Sequence, residues 1–192
     1  MPTPNPAALD FLLTRRSRPA KTLTTPVPTR EQLEPILTAA ARTPDHGKLE
    51  PWRFIVLENA ALDRLADEVA QLGETLDYPA DKVEKNVRQF ADGHLAVVVV
   101  ASPVESEKVP QIEQLYSAGA VCLSLLNAAL ASGWGANWLS GWASHERRFC
   151  EDALGLAPHE QIAGLIYIGT ESCAPPERPR PDLDAITEWV SD

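Results

Sequence analysis

Cysteine is scarce in this 192-residue chain, and its three copies, Cys122, Cys150 and Cys173, are odd in number and nowhere spaced as C-x-x-C. That pattern excludes a disulfide framework and a zinc knuckle, and Cys122, inside an apolar stretch, reads as core filling. Positive charge is in deficit, with 17 Lys and Arg against 27 Asp and Glu for a net charge of -10. A broad basic face for nucleic acid is therefore not expected, and one small anionic ligand fits better. No run approaches the roughly eighteen consecutive apolar residues of a membrane span. The opening MPTPNPAALD lacks the basic start and apolar stretch of a secretory signal. The expectation is a cytoplasmic protein with no membrane contact.

Familiar catalytic signatures are missing as well. The G-x-G at Gly133-Trp134-Gly135 follows a helical pattern rather than a strand and has no third glycine three residues on, so a dinucleotide fingerprint is not supported. There is no Walker A sequence and no G-x-S-x-G elbow. The four histidines, 46, 94, 145 and 159, never fall as H-x-x-x-H or H-E-x-x-H, so no metal site is expected.

What is present is ordinary globular composition, 44% hydrophobic and 23% charged, in a length that suits one domain over 1–192. Asn5 before Pro6 predicts a helix start, with Leu9, Leu12 and Leu13 as a partial apolar stripe. Thr29 to Gln32 reads as a capping box, followed by Leu33, Ile36, Leu37 and Ala40 at helical spacing. Residues 52–58 read as a strand, Leu62, Leu65, Val69 and Leu72 as a helix face, and 81–90 as a polar helix. HLAVVVVAS predicts a strand buried on both faces. Residues 111–132 form a helix apolar on most sides and rich in small residues, ended by Gly133. ANWLSGW is expected to lead into a capped helix near Ser144, and 161–170 is a second buried strand. The prolines at 175, 176, 179 and 181 make the end an extended arm from about residue 174. Helices and few strands intermix without repeats, which argues an α+β or α/β fold with a small sheet.

One segment stands against the acidic balance. RRSRPAK, from Arg15 to Lys21, holds four cations in seven residues, where crowding like charges gains a fold little. An anionic partner explains it, as does a solvated basic helix end favoured by the helix dipole. His46, taken singly, is a structural loop histidine. Trp134, Trp138 and Trp142, at spacing four, are open to a packing role, and Trp134 and Trp142 are read that way.

RRSRPAK, the loop PDHGKLEPWRF at 44–54, GWGANWLSGW at 133–142, the helix entry KVP…QLYSAGA and the late strand GLIYIGT occur in an order that resembles the nitroreductase family of flavin enzymes, in its compact branch with a P-D-H middle loop. The resemblance implies a small central mixed sheet flanked by helices, with the long helix 111–132 at the interface of an intertwined homodimer. It implies FMN bound at that interface, NADH or NADPH as reductant, and ping-pong transfer to a small electron-poor acceptor such as a nitroaromatic or quinone. No side chain is implied as a catalytic nucleophile, because the flavin carries the chemistry.

By the same resemblance, Arg15, Arg16 and Ser17 match the family's phosphate and ribityl contacts, and Lys21 its second basic residue. Asp45, His46 and Lys48 fall in the loop that lines ring and ribityl, where donors from His46 or Lys48 would stabilise charge on the reduced ring. Asn137, Trp138 and Leu139 match the segment that approaches the flavin. Lys48 stands where many members have asparagine, and Leu139 where near relatives have arginine. Two rival readings share these residues: a flavin-binding storage or sensor protein without turnover, and a dimeric interaction module whose arginines meet an acidic partner.

Overall fold

The computed structural model describes residues 3–191. Helix α1 (Pro6–Thr14) begins as its sequence dictates, with Asn5 accepting the Ala8 N–H at 3.2 Å and proline in the first turn. Strand β1 (Leu23–Thr24) is a two-residue piece that the sequence pattern did not announce. Helix α2 (Arg30–Ala40) opens with the reciprocal Thr29–Gln32 capping box and buries Leu33, Ile36 and Ala40. Strand β2 (Trp52–Glu58) runs directly into α3 (Asn59–Thr75), which buries Leu62, Leu65 and Val69. Next come α4 (Ala80–Ala91), β3 (Leu95–Ala101) and the 21-residue α5 (Gln111–Ala131).

After α5, Gly133 takes φ +85°, a value a side chain would strain. The following stretch is strand β4 (Gly135–Leu139), not the lead into a helix. Only a short 3-10 turn at Trp142–His145 and a π-type turn at Phe149–Ala153 replace the helix expected near Ser144. Strand β5 (Gln161–Glu171) is followed by an exposed tail that holds the single-turn α6 (Leu183–Ile186).

The strands pair in the order β1-β5-β3-β2, with β4 also on β5. Every pairing among the described residues is antiparallel, so the sheet is not mixed as expected. The valine run of β3 is buried along its whole length because helices cover both faces of the sheet, and burial on two faces says nothing of strand direction. Ala96, Val98 and Val100 face a cluster with Leu62, Leu65, Phe90, Phe149 and Tyr167 under α3 and α4. Leu95, Val97 and Val99 face Leu33, Ile36, Val121, Leu125 and Ile166 under α2 and α5. Each of these large side chains contributes about 1.5–3 kcal/mol by leaving water.

Two apolar surfaces stay outside these cores. Leu9, Leu12 and Leu13 of α1 are exposed, although their spacing is that of a core stripe. Helix α5 is long and apolar enough by composition to cross a membrane, yet it lies on the sheet through Ala118, Val121, Cys122, Leu125 and Ala129. Its other side presents Ile112, Tyr116 and Leu123 to solvent. Cys122 is fully buried as expected, and burial pushes its thiol up to about 12.

Candidate functional site

The basic segment leaves α1 at Arg15, whose ψ of 141° ends the helix, and runs along the edge of β4. Two bonds strap it there. The Arg18 N–H donates to Ala136 O at 2.8 Å, and Asn137 Nδ2 donates to Arg18 O at 2.5 Å. Asn137 therefore positions the arginines through the main chain.

The three arginines differ in how they are compensated. Arg18 Nε donates to Glu171 Oε2 at 2.6 Å. Among the described residues Arg15 Nη2 reaches only Ser17 Oγ, at 2.8 Å, and Arg16 Nη2 only the carbonyl of Pro176, at 3.1 Å. The Nε atoms of Arg15 and Arg16 are buried with no hydrogen-bond partner among the described residues. Burial depresses the Arg15 pKa, and the charges of Arg180, Arg16 and Arg18 depress it further. Together with Phe11, Leu130 and Trp134, these arginines line a cavity just past the C-terminal end of α5. Half-buried cations with unmet donors are costly unless an anion joins them. A phosphate, with strong acceptor oxygens and charge near -2, is of the right chemistry for paired guanidinium groups.

Lys21 and Leu139 lie on the other face of the sheet, in a groove under α4 that they share with Lys85, Arg88, Ser140 and Tyr167. Tyr167 is only 2% exposed, and its Oη has no bond of good geometry. Gln89 Nε2, from the same groove lining, is likewise buried without a partner among the described residues. Burial pushes the Tyr167 pKa well up, so its hydroxyl stays a neutral donor. Arg88 is held by Glu84 at 2.7 Å.

Trp138 belongs to neither lining. It alternates to the α5 side of β4, 39% exposed, and its indole lies across Gly164 of β5, where a side chain would overlap it. The three tryptophans do not share a face. Trp134 packs with the α5 core, and Trp142 stacks on Tyr78 at 4.4 Å.

The middle loop is tied down by hydrogen bonds. Asp45 Oδ1 accepts the Leu49 N–H at 2.6 Å, and the backbone takes positive φ at Gly47, Lys48 and Glu50, a conformation that costs roughly 1–3 kcal/mol at each non-glycine residue. Ser117 ties the loop to α5, donating to Pro44 O at 2.9 Å and accepting from Trp52 Nε1 at 3.1 Å. His46 Nδ1 sits 2.6 Å from Glu113 Oε2, in the first turn of α5, and Lys48 is exposed.

The loop and the arginines therefore occupy opposite ends of one helix. Twenty-one residues of α5 span about 30 Å. The sheet repeats the separation, since Trp52 pairs with Ala101 and Ala101 with Gln161, while Arg18 and Leu23 meet Glu171 at the far end of β5. Asp45, His46 and Lys48 are thus not brought together with Arg15, Arg16, Ser17 or Lys21 within one chain. Reading the sequence also missed Lys85, Arg88, Gln89, Ser140, Tyr167 and Arg180 as candidates. The three-residue spacing of Lys82, Lys85 and Arg88 along one side of α4 was the signal available for the first two.

A sequence model described as the Nitroreductase family matches residues 12–170. YdjA of Escherichia coli strain K12, whose name assigns it to the NAD(P)H nitroreductases, is 36% identical over 163 residues, covering 85% of this chain and 87% of that protein. The crystal structure of a nitroreductase-like family protein from Bacillus cereus superposes with a TM-score of 0.80 at 22% identity, covering 99% of this chain and 98% of that one. A nitroreductase-type structure from Desulfovibrio desulfuricans, solved in complex with FMN, has a TM-score of 0.73 at 21% identity over 99% of this chain and all of the other.

Proposed function

The chain belongs to the nitroreductase family, and we propose that it is an FMN-dependent oxidoreductase whose cofactor site is completed by two copies of the chain. The observation that carries this reading is the uncompensated pair Arg15 and Arg16, half-buried side chains with unmet Nε–H donors facing one cavity. These two guanidinium groups, with Ser17 and with Arg180 close enough to depress Arg15, hold the phosphate of FMN. The ring lies toward the groove of Lys21, Lys85 and Leu139, beside the strand that carries Asn137 and Trp138. When bound, FMN supplies two-electron chemistry in two half-reactions, accepting hydride from NADH or NADPH and passing electrons to an electron-poor acceptor such as a nitroaromatic or quinone. The protein's part is to bind, orient and polarise. Lys21 and Lys85 place positive charge at the groove, and the neutral Tyr167 hydroxyl adds a donor at its floor.

Geometry supports the second copy. Asp45, His46 and Lys48 lie about 30 Å from Arg15 and Arg16 along α5, too far to touch the same flavin in one chain. The exposed stripe of α5, Ile112, Tyr116 and Leu123, supplies an apolar face for a two-fold contact, and a side chain at Gly119 would meet nothing within 4 Å, leaving room for a close approach. A two-fold contact on that stripe sets the middle loop of one copy against the arginine end of the other. Titration of FMN and of riboflavin into flavin-free protein tests the reading. FMN is expected to bind far more tightly, and Arg16→Ala to remove most of the difference. Equal affinity for the two flavins contradicts the phosphate assignment.

A further inference from the structure

The groove beside Lys21 does not end at Ser140. Through Lys85, Gln89 and Ser140, which line both, it continues as a trough past Gly141 to Trp142, with Lys82 on the α4 wall. The shape of this trough is built in. Asn86 is 4% exposed, accepts the Ala143 N–H on Oδ1 at 3.1 Å, and donates from Nδ2 to Gln89 Oε1 at 3.3 Å. Its amide also fills the space a side chain at Gly141 would need, because a Cβ there would meet Nδ2 at 2.5 Å. The 140–143 turn is thereby locked against α4. At the outer end Trp142 stacks on Tyr78 with its rings 20° apart, and its indole N–H donates to Lys82 O at 3.3 Å.

Lys82 and Lys85 stand close to one helical turn apart on this wall, both exposed. Arg88 is bonded to Glu84, but neither lysine has a carboxylate within ion-pair distance among the described residues. On a chain with net charge -10 they form a local positive strip on a path that leads into the groove, with a flat aromatic pair at its outer end. An extended ligand that carries phosphates along its middle and a planar base at one end matches that sequence of features.

We propose that this trough binds the adenosine end of the pyridine dinucleotide reductant, that Lys85 takes the pyrophosphate common to both nucleotides, and that Lys82 takes the added 2′-phosphate that makes NADPH the preferred donor. The assignment rests on the flavin reading above, with the nicotinamide end directed toward Leu139 and Tyr167. Lysine ammonium groups bind phosphate as point charges, and a phosphate monoester adds a charge of about -1.5 to -2 that NADH lacks. Because Lys82 is exposed, the expected discrimination is modest, about five- to tenfold.

Two measurements on the FMN-loaded protein test this. In calorimetric titration, adenosine 2′,5′-bisphosphate is expected to bind about five- to tenfold more tightly than 5′-AMP; Lys82→Gln removes the difference and Lys82→Arg retains it. In anaerobic stopped-flow, the concentration that half-saturates bleaching of the flavin is expected to be lower for NADPH than for NADH by a similar factor. Lys82→Gln raises it for NADPH and leaves the NADH value within about twofold. Flavin that is bound and bleached equally well by both nucleotides, with equal affinity for the two adenosine phosphates, overturns this assignment alone. A protein that takes up no flavin overturns the flavin reading with it, and that is seen before any nucleotide is added.

Discussion

Arg18 donates its Nε–H to Glu171 Oε2 at 2.6 Å, so the third arginine of the basic segment is already neutralised from within the chain. Arg15 and Arg16 have no such partner among the described residues, and their buried Nε atoms remain unmet. The same short segment thus holds a structural cation and two that are left for a ligand.

Arg16→Ala is accordingly expected to weaken FMN binding by about 1.5–3 kcal/mol, the range for a hydrogen bond to a charged group. Riboflavin affinity, which lacks the phosphate contribution, should be nearly unchanged. Arg18→Ala acts differently: it leaves the main-chain strap to β4 in place but removes the ion pair that ties the segment to Glu171 of β5, so thermal stability falls with it. Fluorescence titration and a thermal melt of each variant separate the two behaviours.

The separation of His46 from the arginines makes a prediction that a site within one chain does not share. Arg16→Ala and Lys48→Glu should each weaken FMN binding in pure form. Mixed and allowed to exchange subunits, they should regain tight sites, because each mixed pair holds one site with both halves intact. Leu123→Glu, which puts charge on the exposed stripe of α5, should give monomers in sedimentation and lose FMN while the far-UV spectrum of the fold persists. Tight FMN binding by that monomer contradicts the two-copy site.

Arg53 and Glu160 hold the opposite end of the sheet through two bonds of 2.7 Å. The Arg53 guanidinium foremost, with the Ala157 N–H and Ser102 adding to it, keeps the Glu160 carboxyl at about 2, below its ordinary 4.5. A depressed carboxylate stabilises the fold above its unfolded-state pKa, and that contribution is lost as pH falls through the folded value. The unfolding free energy, and the melting temperature with it, should therefore fall between about pH 4.5 and 2, with on the order of 1–3 kcal/mol of the free-energy loss carried by this pair. Glu160→Gln should be less stable at neutral pH and show a shallower acid slope. Parallel acid slopes for the two proteins would remove Glu160 from the account.

Trp138 rests across Gly164 rather than in a core. Trp138→Ala is expected to change the fluorescence or potential of bound flavin more than it changes thermal stability. Gly164→Ala, which keeps the indole but displaces it from the strand, should move the flavin signal in the same way. An equal loss of melting temperature with an unaltered flavin signal returns Trp138 to packing alone.

Much of this was legible in the residues. The capping box of α2 and the two buried strands β3 and β5 follow from local pattern, because each element carries its own start signal or a continuous apolar run. The charge density of Arg15 and Arg16 was legible, and by itself it left an anion site and a solvated basic helix end both open. Strand β4 was not, since GANWL has little strand character and its pairing depends on the bare backbones of Gly164 and Gly169 thirty residues away in sequence. Lys85, Arg88, Tyr167 and Arg180 were hidden for a related reason: each sits in a stretch legible only as a helix, a strand or an arm, and only the fold carries it beside Lys21 or Arg15. The leucines of α1 show the converse limit. Their spacing reports that a face is apolar, and it cannot say whether this chain or another covers it.

The most direct measurement is the absorption spectrum of the protein incubated with FMN and then freed of unbound flavin by gel filtration. The account predicts flavin bands that travel with the protein in stoichiometric amount, and travel apart from it when Arg15 and Arg16 are both replaced by alanine. A colourless wild-type protein, or a double variant as yellow as the wild type, would contradict it.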